Sequence, residues 1–304
     1  MARTIHTISI SNNQIRTFPQ EAIEALTSLT WFTIRGNYIE TIPEKPFSYK
    51  KRLDKLNLGE NFISTIPSNA FNKTLNVNDL KLDYNYIEIL QERVFQSLMP
   101  RRVYLGMTRI KTIDRNAFDG VEDTLELFDI EQNNLNNISE AINKLKNLHY
   151  LYISNNNISS IRVDAFSSFS ETLRALSLSG NQISTFPRDA LRLCTELSHL
   201  NIGYNDISEV VAQDFLGWAG NIDTLIIRYA NVSAFSSKRK DMLNLLIYCE
   251  QIVMEYFHGL SCYHKNIFFF LLFEVSLACC GLLSRQWICV QGRSLAVLSC
   301  PADP

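Results

Sequence analysis

The side chains that most often carry catalysis or bind metals are few in this sequence and do not cluster. Of the seven cysteines, Cys194 stands alone in the first 235 residues, and the other six form no CxxC pair of the zinc-binding or redox type. The histidines show no metal-ligand spacing either: His6, His149, His199, His258 and His264. Phosphate-binding loops and the HExxH, GxSxG and GxGxxG motifs do not occur. We therefore expect no enzyme and no catalytic, cofactor-binding or metal site.

The composition is that of a folded chain with little net charge. Hydrophobic residues make up 46% and charged residues 20%, and the formal net charge is -2. This balance offers no basic surface for nucleic acid, so we expect no nucleic-acid partner. The opening residues MARTIHTISISNNQIRTF lack the apolar stretch of a signal peptide. Recognition chemistry must then come from surface side chains that the fold positions.

One 24-residue pattern recurs from residue 5 to about residue 235 and gives ten copies. LHYLYISNNNISSI (148–161) and LRALSLSGNQISTF (173–186) share the frame L-x-x-L-x-L-x-x-N-x-I-x-x-I. Thr108 and Ala230 replace the asparagine of this frame in two copies. The asparagine stands at Asn13, Asn37, Asn61, Asn85, Asn133, Asn156, Asn181 and Asn205.

The frame predicts a stack of short strands. The L-x-L core alternates with period two, which is typical of a strand with one buried face. One copy is too small to bury its leucines, so copies must stack and share a core. The asparagine falls where the chain turns out of the strand and can satisfy backbone groups there. We predict an α/β-type solenoid, a horseshoe with a parallel sheet on its concave side and turns and short helical segments on its convex side.

The return half of each copy carries a second repeating feature, a phenylalanine that often follows alanine. Its spacing predicts a buried aromatic stack on the convex side and not a ligand site. The phenylalanines are Phe47, Phe71, Phe95, Phe118, Phe166 and Phe215.

The frame and its Ala-Phe return are identified as an extracellular type of leucine-rich repeat, similar to those of adhesion proteins, Toll-type receptors and Slit-type guidance proteins. TLRALSLSGNQISTFPRDAL and LSHLNIGYNDISEVVAQDFLG most resemble the chaoptin-like cell-adhesion family. The resemblance covers the repeat array and implies a lipid-anchored protein at the cell surface, or an extracellular one, that mediates contact between cells.

The chain departs from that extracellular pattern at both ends. It lacks a secretion signal, begins inside a repeat at Ile5, and has no cysteine-bearing cap on either side of the array. We expect a fragment or a truncated gene model. Four glycosylation sequons begin at Asn72, Asn137, Asn157 and Asn231, about as many as chance would give in an asparagine-rich chain. Asn72 and Asn157 flank predicted turns and are the better candidates.

Outward-pointing strand residues are the candidate partner-binding residues. Lys55, Asp79 and Arg102 alternate in sign on adjacent strands and favour a self-neutralising ladder. The candidates on the concave face are large apolar and aromatic side chains, a type enriched in interfaces, although tyrosine is also simply common in strands. They are Trp31, Tyr104, Leu127, Tyr150 and Tyr152, with Met107 at the edge.

The domain organisation is an array over residues 1–235 and a hydrophobic, Cys-rich tail without repeats over residues 236–304. Residues 267–283 are apolar apart from Glu274, which is marginal for a membrane span. Three interpretations of the tail stay open: a membrane segment, a buried cap for the last repeat, and translated non-coding sequence. A lost anchor or residues 267–283 are the candidate routes to a membrane.

The sequence thus favours protein recognition through the concave face, with cell-surface adhesion as the first hypothesis and a second copy of the chain as one candidate partner. A ligand-binding receptor ectodomain of the Toll-like or Slit-like kind and an intracellular scaffold are the alternatives.

Overall fold

The L-x-L segment of every repeat forms a strand, as predicted. The computed structural model describes residues 4–44, 47, 52–67, 75–96, 98–227, 234–235, 251–253, 287–291 and 294–298. Eleven strands in this part of the chain form one parallel sheet in sequence order. They are β1 (Thr7–Ser9), β2 (Trp31–Thr33), β3 (Arg52–Asn57), β4 (Asn76–Lys81), β5 (Arg102–Tyr104), β6 (Leu127–Asp129), β7 (Tyr150–Tyr152), β8 (Ala175–Ser177), β9 (His199–Asn201), β10 (Thr224–Ile226) and β11 (Gln251–Val253). Stacked coils joined by this sheet form the predicted solenoid.

The register of the sheet places equivalent residues of successive repeats side by side. Phe128 of β6 pairs with Leu151 of β7, and Leu151 pairs with Leu176 of β8. These central residues of the three strands are buried, and the residues on either side of them are at least partly exposed apart from the small Ala175. Because the side-chain period of a strand is two, one frame in the sequence fixes which residues are buried in every coil.

The core is continuous along the coils, and the recurring phenylalanine contributes to it as predicted. Phe95 and Phe118 stack with ring centroids 5.7 Å apart, and Phe118 meets Phe128 edge-on at 5.2 Å. Phe71 lies outside the described residues. The other members of the column are buried: Phe47, Phe95, Phe118, Phe166 and Phe215.

The side of the coils opposite the sheet consists of turns and very short helices. Two α-helices occur among the described residues, α1 (Gln20–Glu24) and α2 (Arg188–Leu191). Two-stranded parallel sheets join Ile89–Leu90 to Thr112–Ile113 and Glu209–Val210 to Ala234–Phe235. The 3-10 helices are Ile142–Lys144, Ser167–Phe169, Ala212–Phe215 and Ala219–Asn221.

Strand β11 extends the sheet beyond residue 235, where the repeat pattern ends in the sequence. It pairs in parallel with β10, and both belong to a compact unit, Met1–Gly259. The second unit, Leu260–Pro304, contains an antiparallel pair of strands, Trp287–Gln291 and Ser294–Leu298. The candidate membrane segment 267–283 lies outside the described residues. Among the residues that are described, no helix has the length and apolar character to cross a bilayer.

The predicted asparagine ladder forms and joins each coil to the one before it. The Oδ1 atom of Asn85 accepts the backbone N–H of Ile63 at 3.0 Å. Its Nδ2 atom lies 3.1 Å from the carbonyl oxygen of Leu58 in the preceding coil and 2.9 Å from that of Leu82 in its own coil. Asn13, in the first described coil, is exposed and bonds only within its coil, to Ile10 and Ser11. The buried rungs of the ladder are Asn37, Asn61, Asn85, Asn133, Asn156, Asn181 and Asn205.

The residue directly before each rung adopts a left-handed backbone. Its φ is +69° at Gly36, +56° at Tyr84 and +54° at Asn155. Side chains other than glycine are strained in this region by roughly 1–2 kcal/mol. The conformation is shared by glycine and non-glycine coils, so the residue type at this position does not determine the turn. Ala230, the alanine at the tenth ladder position, lies outside the described residues.

Candidate functional site

The strands present two outward columns of side chains, which together we call the sheet face. The first column precedes the central buried residue of each strand and the second follows it. The first runs Trp31, Lys55, Asp79, Arg102, Leu127, Tyr150, Ala175, His199 and Thr224. The second runs Thr33, Asn57, Lys81, Tyr104, Asp129, Tyr152, Ser177, Asn201 and Ile226.

Charged residues that flank the sheet face in the first half of the array pair with one another. Arg35 reaches Glu60 and Asp83, each with an N–O distance of 2.7 Å. Arg101 pairs with Glu126 on the next coil. These carboxylates and guanidiniums occupy each other and leave little charge for a partner.

Of the two ion pairs expected in the charge ladder, Lys55 with Asp79 and Asp79 with Arg102, only the second forms. Arg102 pairs with Asp79. Lys55 instead places its Nζ atom 4.7 Å from the centroid of the Trp31 ring. The tryptophan competes for the ammonium group because a cation over an aromatic face is attracted by roughly 0.5–1 kcal/mol at exposed sites. The Trp31 side chain is 43% exposed, but its ring already contacts the ammonium group of Lys55 from the same chain.

Four of the five candidate partner-binding residues lie on adjacent strands. Leu127 is in register with Tyr150, and Tyr104 and Tyr152 flank Asp129 in the second column. Tyr150 is 36% exposed, and the other three are half-buried. Trp31 is three strands away from β5 and does not belong to this cluster. Met107 lies in the turn three residues after Tyr104 and is 39% exposed.

A depression of about 580 Å³ opens beside the tyrosine pair Tyr150 and Tyr152. We call it the sheet-face depression. Its floor is formed by small residues of β8, Ala175 and Ser177, and its far wall includes His199 of β9. The remaining lining residues are Asp129, Glu131, Leu176, Leu200, Asn201, Thr224 and Ile226.

The sequence prediction missed the floor and far wall of this depression. The predicted site consisted of large apolar and aromatic residues. A depression also requires a strand with small outward side chains between strands with larger ones. Ala175 and Ser177 on β8 are that signal, because both outward positions of one strand are small.

Asp129 dominates the electrostatics of the depression. Burial, together with the neighbouring charges of Glu131 and Asp83, raises the pKa of its carboxyl group to about 6. The backbone N–H of Glu131, at 3.1 Å from Oδ1, and the charge of Lys81 act in the opposite direction. Burial also raises the pKa of Tyr152 and of Tyr104.

The remaining candidate residues lie away from the sheet face. Asn137 and Asn157 are exposed, and Asn72 and Asn231 lie outside the described residues. Cys194 is buried, and burial raises the pKa of its thiol to about 12. Among the described residues no three histidine, cysteine or acidic side chains are grouped as a metal site would require.

The family profile of the leucine-rich repeat matches residues 51–99, 101–158 and 146–207, slightly more than half of the chain. The chain belongs to the leucine-rich-repeat family. Two relatives match shorter stretches at 33% identity. One is the leucine-rich repeats and immunoglobulin-like domains protein 3 of Homo sapiens, over 31% of this chain and 8% of that protein. The other is Toll-like receptor 2 of Ovis aries, over 39% of this chain and 14% of that protein. The matches span only a small part of both relatives.

A solved structure shows the same fold over most of the chain. A leucine-rich-repeat protein of Leptospira interrogans superposes with a TM-score of 0.55 and covers 83% of this chain and 72% of its own. The two share 18% sequence identity, so the likeness concerns the fold alone.

This leucine-rich-repeat chain has a second exposed aromatic feature that the sequence prediction missed. Tyr38, Phe62 and Tyr86 each follow a rung of the asparagine ladder, and their rings stack at 5.8 Å and 5.5 Å. The guanidinium groups of Arg16 and Arg109 lie over the outer rings at 5.4 Å and 4.2 Å. Aromatic residues directly after the ladder position in three consecutive repeats are the signal for it.

Proposed function

We propose that the chain recognises a protein partner through the sheet-face depression. The observation that carries this proposal is the contrast between the two halves of the sheet face. In the first half, Lys55 covers Trp31 and Arg102 pairs with Asp79. In the second half, Tyr150 and Tyr152 border an open depression. Tyrosines at the centre of such a surface are the residue type that most often carries binding energy in interfaces.

We further propose that this recognition serves cell-surface adhesion of the chaoptin-like kind, with a second copy of the chain as the first candidate partner. Support comes from the extracellular repeat type and from relatives whose names include a Toll-like receptor and a protein with immunoglobulin-like domains. The exposed sequons at Asn137 and Asn157 are compatible with an extracellular or cell-surface location.

A bead assay tests recognition and adhesion together. Beads coated with the full chain should cluster if copies bind each other, and Tyr150→Ser with Tyr152→Ser should abolish the clustering without lowering the melting temperature by more than a few degrees. Tyr84→Ser is the matched control, because Tyr84 is 45% exposed but lies outside the depression. Clustering that is unchanged in the double variant would refute this use of the depression.

A receptor ectodomain is the second candidate function, favoured by the similarity to Toll-like receptor 2 over 119 residues. It predicts that coated beads stay dispersed and that the chain binds a soluble protein in a panel of purified extracellular proteins, with the same loss in the Tyr150 and Tyr152 double variant. The third candidate, an intracellular scaffold, is incompatible with glycan at Asn157. Mass spectrometry of protein purified from its natural source would show such a glycan on the peptide that contains Asn157.

A further inference from the structure

Aromatic side chains in the first half of the sheet face carry a cation from the chain itself. Lys55 lies 4.7 Å from the Trp31 ring centroid, and Lys81 lies 4.4 Å from that of Tyr104. Each lysine comes from the strand next to the ring, in the same column of the sheet. In both cases the ammonium group of a lysine therefore lies over the aromatic ring of a neighbouring strand.

The tyrosines of the depression lack such a cation. In the described part of the chain, no lysine or arginine lies over the ring of Tyr150 or of Tyr152. The neighbour of Tyr150 is the ring of His149, whose centroid is 6.3 Å away. On the β8 side, Tyr150 and Tyr152 are in register with the small Ala175 and Ser177, so the space that a lysine occupies in earlier repeats is open.

Two carboxylates of the depression differ from those of earlier repeats in their ion pairing. Asp79, Asp83 and Glu126 each form an ion pair with arginine. Asp129 and Glu131 form none with any described residue. Asp129 lies between Tyr104 and Tyr152 in the second column, half-buried, with a backbone N–H of Glu131 on one oxygen.

We infer that the depression receives a basic side chain, lysine or arginine, from a partner protein, with its charged group against Asp129 and Glu131 and its methylene stem against Tyr150 and Tyr152. This inference rests on the proposed function and names the chemistry of the partner at that site. Charge complementarity favours it over an acidic or purely apolar partner residue, because either would leave the buried carboxylate of Asp129 unpaired. The raised pKa of Asp129 is consistent with a desolvated carboxylate that a bound cation would stabilise.

The arrangement also sets an order of importance among the residues. Asp129 lies between Tyr104 and Tyr152 on the strand itself and is desolvated, so it supplies most of the attraction. Glu131 lies two residues beyond the end of β6, also lines the depression and adds to the negative charge there. The tyrosine rings contact the methylene stem and help to exclude water from the charged group.

A small-molecule titration tests the inference with the full chain. The tyrosines are replaced biosynthetically by 3-fluorotyrosine, and the 19F spectrum is followed during addition of N-acetyl-lysine amide or N-acetyl-arginine amide. Resonances assigned to Tyr150 and Tyr152 should shift saturably, and N-acetyl-glutamine amide at the same concentrations should not shift them. Asp129→Asn should weaken the binding about tenfold, since it removes the charge and keeps the shape.

The titration and the bead assay distinguish failure of this inference from failure of the proposed function. Equal binding of the neutral amide, or unchanged binding in Asp129→Asn, would overturn the inference. Glu131→Gln, at a half-buried position just beyond β6, provides a second variant in case Asp129→Asn fails to fold, and it should weaken binding by a smaller factor. If bead clustering is lost in the tyrosine double variant but retained in Asp129→Asn, protein recognition stands and the basic side chain is excluded.

Discussion

The hydroxyl group of Thr108 lies 2.6 Å from Oδ1 of Asn133, the next rung of the asparagine ladder. That oxygen also accepts the backbone N–H of Ile110 at 2.8 Å. The carbonyl oxygen of Leu105, in the same coil, lies 3.1 Å from the hydroxyl oxygen, so the one hydroxyl proton of Thr108 is shared between an acceptor in the next coil and one in its own. The threonine is too short to reach back to the preceding coil as an asparagine does. In the described part of the chain, no side-chain oxygen accepts the N–H of the buried Ile87.

Thr108→Asn should therefore stabilise the array. The new side chain supplies an acceptor for Ile87 and a donor for the carbonyl of Leu82, and one net buried hydrogen bond contributes about 1 kcal/mol. Urea unfolding followed by circular dichroism measures the change. Thr108→Val, which keeps the shape and removes the hydroxyl, is the control and should lower the free energy of unfolding by a similar amount. An asparagine variant no more stable than the parent would contradict the proposed role of the ladder.

Gly180 has a φ of +67°, and a Cβ atom there would lie 2.2 Å from Oδ1 of Asn155. Gly180→Ala should lower the free energy of unfolding by about 1–2 kcal/mol, because the left-handed backbone strains alanine and Asn155 must move. Gly220→Ala is the matched control, since a Cβ atom at Gly220 meets nothing within 4 Å. Thermal unfolding of both variants gives the comparison. Equal effects of the two changes would mean that the left-handed turn does not select glycine here.

Asp129 should make stability depend on pH in an unusual direction. Its pKa in the folded chain, about 6, lies above the ordinary value of 3.8. Between these two values the folded state binds more protons than the unfolded state, so the contribution of this group to stability is present at low pH and is lost as pH rises through about 6. Asp129→Asn should therefore be more stable than the parent at pH 7.5 and nearly equal to it at pH 4.

The measurement is urea unfolding of parent and variant at several pH values, with the difference between the two curves isolating Asp129 from other titrating groups. The charged groups that act on it are Glu131, Asp83 and Lys81; Arg102 lies in the first outward column one strand earlier, and His149 directly precedes Tyr150 of the next strand. A variant that is less stable than the parent at pH 7.5 would show that the carboxylate is already paired in the folded chain.

Cys194 should be chemically inert in the folded protein. Burial raises the pKa of its thiol to about 12, so almost no thiolate is present at neutral pH. Iodoacetamide at pH 8 should leave the Cys194 peptide unmodified in native protein and modify it fully in urea, as read by mass spectrometry of the digest. Rapid native labelling would mean that the coil containing α2 opens locally.

Sequence patterns predicted the parts of the fold that depend on period and residue type. One frame located ten strands, the buried column and the rungs of the ladder because each coil repeats the same backbone geometry. The phenylalanine column was also predictable, since a buried aromatic at fixed spacing has one place to pack. Strand β11 was missed because its segment carries no asparagine frame.

The candidate site was less predictable because side-chain choice depends on several neighbours at once. Lys55 could bond Asp79 or cover Trp31, and the charge pattern alone favours the first, whereas the structure has the second. The tyrosines were identified from their outward positions, but the depression beside them depends on the absence of bulk at Ala175 and Ser177. Large side chains therefore predict the wall of a depression, whereas the space beside them depends on small side chains on the neighbouring strand.

The asparagine ladder gives the array a direction. Wherever the rung is an asparagine, the N–H that needs an acceptor belongs to the earlier coil and the amide that supplies it belongs to the later one, as Ile63 and Asn85 show. A coil is thus completed by its successor and not by its predecessor. Within the ladder, loss of repeats from the amino-terminal end exposes only side-chain amide groups, which water can serve, and the remaining rungs stay paired. Loss from the carboxyl-terminal end removes the acceptor from a backbone donor of the coil that remains, so the two ends of the solenoid differ in their tolerance of shortening.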